Sequence, residues 1–252
     1  MRHRGRGLHA RRILTLAVLV LGVLAMASAP AAADDCPAMP PNHIPDAPPP
    51  PLNIDLVKRA LLDYHGQFYN LDVAAVFEAA RNYVESYAGD AKLPAIVLDI
   101  DETSLTNWPN LVADNFGFIS GGSCDALPAG PCGFNAWIAL AKAEALRPAL
   151  KLFKAAKARR IAVIFITGRH DRLRDATLIN LDHAGFDGWT ELHTRPDSDE
   201  FATVQAYKTA ERIKVEAEGY TIIANVGDQM SDINGEHARC TFKVPNPFYF
   251  IP

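Results

Sequence analysis

Three acids crowd the end of an apolar run in AIVLDIDETSLTN, residues 95–107, where Ile96, Val97 and Leu98 are followed at once by Asp99, Asp101 and Glu102. Successive strand residues point to opposite faces, so Asp99 and Asp101 share a side with Cα atoms roughly 6–7 Å apart. Two carboxylates at that spacing repel unless a cation compensates them or one keeps a proton. A hard divalent ion with oxygen ligands, Mg²⁺ above all, suits them, and Asp228 and Asp232 in GDQMSD are partners of the same kind. One carboxylate could attack phosphorus, while a second protonates the leaving alcohol and later deprotonates water. Phosphoryl transfer also needs positive charge and donors around the equatorial oxygens. Thr167 and Gly168 in FITGR offer a hydroxyl and an approachable backbone, and Lys208 in YKTAER offers a cation. Arg169 can either orient phosphate or brace the acids, and both readings stand.

These clusters need elements to bring them together. Apolar, β-branched runs (AIVLDI, IAVIFIT, YTIIANVGD and a short strand near WTELHT) alternate with helical patterns. The alternation predicts an α/β fold: a Rossmann-like parallel sheet with helices on both faces. Ligands of such sheets bind beyond the carboxyl ends of the strands, where DIDET, TGRH and GDQMSD stand. Two more helical patterns, LNIDLVKRALLDYHGQF and LDVAAVFEAARNYVESYA, precede the first strand, and another helix is expected around FNAWIALAKAEA. Residues 104–147 are too long for an ordinary strand-to-helix connection and read as a small cap inserted after the first strand. Trp108 and Trp137 in that cap are candidates to stack on a substrate, with packing inside the cap the favoured alternative. Asn107 is a further candidate contact.

The N-terminus reads as an export signal over residues 1–33: five arginines, the apolar run ILTLAVLVLGVLAM, then the small-residue stretch ASAPAAA. The apolar run is short of the roughly 20 residues a spanning helix needs, so no stable membrane anchor is expected after cleavage. Removing those five of the 25 basic residues leaves 20 against 29 acidic ones, a net charge of −9, which disfavours a nucleic-acid polymer as partner. A Pro-rich lead-in over 34–55 precedes the domain expected at 56–252. Four cysteines in an exported chain favour disulfides over metal sites. Cys124 and Cys132 flank DALPAGP and could bridge locally, Cys36 and Cys240 would then pair by default, and free thiols are the alternative.

In chain order, DIDET, FITGR, YKTAER and GDQMSD resemble the four motifs of the haloacid dehalogenase superfamily. Within it, LDIDETSLTN, GDQMSDINGE and the tail FKVPNPFYFIP are similar to an acid phosphatase group of plant vegetative-storage-type proteins and exported bacterial class B relatives. The likeness runs from about Leu56 to Pro252. It implies Asp99 as nucleophile and Asp101 as general acid and base, with the Asp101 backbone carbonyl on the metal. It implies Thr167 as the phosphate-binding hydroxyl, Lys208 as the cation steadying nucleophile and phosphate, Asp228 as a direct Mg²⁺ ligand, and Asp232 as ligand or support. The expectation is an exported, periplasmic or secreted Mg²⁺-dependent acid phosphatase hydrolysing small phosphomonoesters, nucleotides among them, through an aspartyl-phosphate. A phosphotransferase of the same fold and a noncatalytic storage or binding protein are the alternatives. The relatives also imply a homo-oligomer. Met230 stands where an aromatic residue is expected and reads as a packing difference.

Overall fold

The computed structural model describes residues 51–89, 91–198 and 200–251. The export signal, most of the lead-in and Cys36 lie outside the described residues, and with Cys36 the proposed Cys36–Cys240 pairing. Among the described residues no helix is long and apolar enough to cross a membrane.

Five parallel strands form the sheet in the order β5-β4-β1-β6-β7. They are β1 (Pro94–Leu98), β4 (Ala162–His170), β5 (Glu191–Arg195), β6 (Thr221–Gly227) and β7 (Cys240–Lys243). β1 takes the centre, in register with β4 from Ala95↔Ala162 and with β6 through Leu98↔Val226. Its period-2 alternation splits the core: Ile96 and Leu98 join Val163, Phe165, Ile223 and Val226 on one face, while Ala95 and Val97 join Ile164, Ile166 and Ile222 on the other.

Helices cover both faces, as the alternation predicts. On the larger face α2 (Asn70–Ser86) buries Val73, Phe77, Ala80 and Val84, and α5 (Arg147–Ala158) buries Ala149, Leu152, Phe153 and Ala156. Both sets follow the three- and four-residue steps of one helical face. Pro148 stands in the first turn of α5, where its missing N–H costs nothing. Opposite lies α7 (Val204–Ala217), N-capped by the Thr203 hydroxyl on the Ala206 N–H, with Tyr207, Lys208, Glu211, Arg212 and Val215 buried. α6 (Arg174–His183) links β4 to β5. α1 (Ile54–Tyr64) and α2 form one run through a π-turn, His65–Tyr69, which carries the buried Tyr69 against Phe248.

Between β1 and α5 the chain forms a two-stranded antiparallel pair, β2 (Leu105–Thr106) with β3 (Glu144–Ala145), and two short helices, α3 (Trp108–Ala113) and α4 (Phe134–Ala139). The helix expected around FNAWIALAKAEA is therefore only six residues long. Asn180 on α6 grips the backbone N–H and C=O of Ala143, and β2 claims Glu144 and Ala145, so tertiary bonds override a helix-forming sequence. Cys124 and Cys132 are bridged. Around the bridge, Asn110 donates to the Cys132 carbonyl and Asp114 accepts the Cys132 N–H, fixing the loop to α3. Strand β7 escaped the sequence reading because no helical pattern of ordinary length precedes it: α8 (Met230–Ile233) is a single turn. The tail beyond β7 turns back so that Tyr249 and Ile251 reach the ends of the strands.

Candidate active site

A cavity of about 510 Å³ opens over the carboxyl ends of β1, β4 and β6. Asp99, Asp101, Asn107, Gly168, Arg169, Lys208, Asp228 and Asp232 all line it. Each comes from an element whose other residues are locked in the core. The Asp99 N–H bonds the Val226 carbonyl, fastening the end of β1 to β6, and the Ser104 hydroxyl returns to the Asp99 carbonyl. Glu102 has φ 50°, a left-handed turn that lets the chain reverse directly after the acids. At the end of β6 a Cβ on Gly227 would collide with the Asp232 side chain, so the GD pair requires a glycine there. Asp232 also caps its own short helix by accepting the Gln229 N–H, and Arg212 and Asn225 hold its carbonyl at 2.8 and 2.7 Å.

Lys208 is the hub of one half of the site. Its ammonium pairs with Asp99 and with Asp232 Oδ1, the latter at 2.6 Å, and all three side chains are buried. Oxygens of Asp99, Asp228 and Asp232 lie within 4.8 Å of one another. Thr103 donates to Asp228 Oδ1, while Gln229 and Asn246 donate to Oδ2. Three acids against one lysine leave a buried surplus of negative charge. Burial pushes Asp99 well above the carboxylate range, Lys208 opposes this, and Asp232, Asp228 and Asp101 add to it. Burial and then Asp232 raise Asp228 to about 6 against its amide donors. Lys208 is raised: burial opposes its charge, but Asp232 and Asp99 outweigh burial. An oxygen-only, negatively charged, buried trio fits a hard divalent cation, which would reverse the upward push on the acids.

Asp101 belongs to the other half. Arg169 donates through Nε at 3.1 Å to Oδ2 and through Nη2 at 2.7 Å to Oδ1, and Asn107 Nδ2 donates to Oδ1 at 2.8 Å. Burial alone would raise Asp101, but the guanidinium and the Asn107 amide outweigh it and hold the carboxyl below its ordinary value. Of the two sequence readings of Arg169, this geometry is bracing of an acid. The Asp101 side chain lies outside the carboxylate trio.

Other candidates fall differently. Thr167 is fully buried, takes the Arg169 N–H on its hydroxyl, and sits behind the Gly168–Arg169 wall rather than in it. A Cβ on Gly168 would meet only Val204 at 3.7 Å, so packing does not demand glycine there. Neither tryptophan lines the cavity. Trp108 stacks on His65, ring centroids 3.4 Å apart, and Trp137 is buried with Nε1 on Asn107 Oδ1, so both take the packing role favoured above rather than facing a substrate. Met230 is 48% exposed, which removes the packing role expected of it. The apolar wall comes instead from Leu111, Phe116, Phe118, Phe134, Ile138 and Phe250. Glu102 and Asn246 were also missed as site residues. Asn246, polar between two prolines in a hydrophobic tail, carried a legible signal; the Phe residues did not.

Acids and a lysine gathered at the carboxyl ends of a parallel α/β sheet, under an open cavity, define an enzyme of phosphoryl chemistry. The chain belongs to the HAD superfamily, subfamily IIIB (Acid phosphatase), whose family profile matches residues 53–252, and is accordingly a hydrolase of phosphomonoesters. It is 32% identical over 199 residues to acid phosphatase 1 of Solanum lycopersicum, covering 78% of this chain and 74% of that protein. Identity to the stem 28 kDa glycoprotein of Glycine max is 31% over 190 residues, covering 74% and 71%. In fold it is similar to the class C acid phosphatase from Bacillus anthracis, with TM-score 0.61 at 22% identity, covering 78% and 86%.

Proposed function

We propose that this phosphatase works through an aspartyl-phosphate on Asp99 and takes Mg²⁺ as its cation. The observation that carries this reading is the single lysine shared by Asp99 and Asp232 inside a trio of buried carboxylates. Asp99, Asp228 and Asp232 would hold the ion, with the Asp101 backbone carbonyl, and bound Mg²⁺ supplies charge neutralisation for nucleophile and phosphoryl oxygens. Lys208 steadies Asp99 and the incoming phosphate, and Gly168 faces the phosphate from β4, with Thr167 behind it holding the Arg169 N–H. Asp99 attacks phosphorus as the ester P–O bond breaks, and Asp101 gives its proton to the departing alkoxide. Asp101, now a carboxylate, takes a proton from water, which attacks phosphorus and releases Asp99 and inorganic phosphate.

Because Arg169 holds Asp101 low, its acid form is populated only on the acidic side, which supports an acidic optimum. Residues 104–147 act as the selecting cap, since Phe116, Phe118 and Phe134 give the cavity its apolar wall for the alcohol moiety, nucleosides included. Export rests on residues 1–33, and N-terminal sequencing of the secreted chain, with a new terminus near Ala33, checks it.

The deciding experiment is phosphate release from an aryl phosphate with Mg²⁺. Asp99→Asn should lower the rate by at least about 10³-fold. Parent-level turnover in that variant would overturn the aspartyl-phosphate reading.

A further inference from the structure

We propose that Trp137, Asn107 and Glu102 form a positioning relay that sets the Asp101 carboxyl for proton donation, a reading that rests on the role given to Asp101 above. Asn107 is 1% exposed, and every polar atom of its side chain is used. Its Oδ1 accepts the Trp137 indole N–H at 2.8 Å. An indole nitrogen only donates, so this bond decides which end of the amide is oxygen. Nδ2 must then face the acids, and its two hydrogens go to Asp101 Oδ1 at 2.8 Å and Glu102 Oε2 at 2.9 Å. Glu102, itself 1% exposed, holds the same residue a second time by accepting the Asn107 N–H on Oε1 at 2.6 Å.

The consequence is an asymmetry at Asp101. Oδ1 accepts from both Asn107 Nδ2 and Arg169 Nη2, whereas Oδ2 has only Arg169 Nε at 3.1 Å. Oδ2 is the oxygen left to carry the proton that passes to the departing alkoxide. Trp137 sits on α4, 30 residues from Asn107, and neither bonds the acid nor lines the cavity itself. Its N–H keeps the amide from turning over. A turned amide would set Asn107 Oδ1 against the Asp101 carboxylate, two acceptors face to face, and release the proton-bearing oxygen from its place.

A positioning role for proton donation has a signature that general loosening lacks: it matters most when the leaving alcohol is a poor leaving group. The test measures kcat/KM of the mature chain with Mg²⁺ on a nitrophenyl phosphate and on a simple alkyl phosphate. Trp137→Phe keeps the ring and removes the donor. The expected result is a roughly tenfold fall on the alkyl ester and at most about a threefold fall on the aryl ester, a fraction of what a general acid supplies. Asn107→Asp, which puts an acceptor where Nδ2 stood, should give the same selectivity, more strongly, and serves if Trp137→Phe fails to fold. Asp101→Asn is the reference. If it does not lose more on the alkyl ester than on the aryl ester, the role given to Asp101 fails. If it does, and both relay variants lose the two substrates equally or lose neither, the relay is overturned while the proposed function stands.

Discussion

Asp99 and Asp101 stand two residues apart at one strand end, the first buried and the second half-buried, yet the structure drives their carboxyls in opposite directions. Asp99 shares one lysine with Asp232, beside Asp228, and is pushed up by burial and uncompensated charge. Asp101 is enclosed by a guanidinium and an amide and is held down. The first half of the site holds an acid trio with one lysine against it, and the second pairs its acid with a guanidinium. Two carboxylates two residues apart therefore differ in charge state, because environment rather than residue type sets it, and this suits the different roles proposed for them.

Removing Lys208 attacks the first half most directly. Lys208→Met leaves the acid trio without its only ammonium, and an unpaired buried charge costs about 3–5 kcal/mol, to be read by denaturant unfolding at neutral pH. Activity should fall at least about 10²-fold, as when a fixed charge-stabilising group is lost. A variant as stable as the parent would show that the trio is not charged as described.

Chelation probes the same half from the other side. At 100 times its dissociation constant a cation adds about 2.7 kcal/mol to stability, so Mg²⁺ should raise Tm and a chelator abolish the rise. The Asp228→Asn variant should lose most of that response, whereas Arg169→Gln should keep it.

In the compensated half, Arg169→Gln removes the charge that holds Asp101 low. The carboxyl should move up, so the alkaline limb of the kcat/KM profile, which needs the protonated acid, should shift toward higher pH by about one unit. The sign for stability is the reverse. A depressed carboxyl gives stabilisation that is complete above its unfolded value and is lost as pH falls through the folded one. The variant should therefore lose stability at neutral pH and less at strongly acidic pH.

The smallest effect lies outside both halves, at His193 between Glu211 at 2.7 Å and Glu191 at 2.9 Å. Burial opposes its charge, but Glu211 and Glu191 outweigh burial and raise it. A raised histidine stabilises fully below its unfolded value and loses that contribution as pH rises through the folded one. His193→Gln should cost about 1 kcal/mol on the acidic side and little in mildly alkaline solution, measured by thermal melts at both.

The sequence by itself determined the alternation of strands and helices, hence the parallel sheet, and the order of the acidic and basic clusters at its strand ends. These follow from periodicity and chain reversal, which are local. Asp99 and Asp228 stood out because they follow apolar strands directly, and Asp232 and Lys208, on the helices α8 and α7, because they lie in GDQMSD and YKTAER. Only tertiary structure decided the rest. It turned Arg169 onto Asp101, took both tryptophans out of the cavity, cut the expected α4 short through Asn180, and brought the tail back so that Asn246 meets Asp228. Each depends on which distant segment supplies the hydrogen-bond partner, and local pattern cannot specify a partner 18 to 68 residues away.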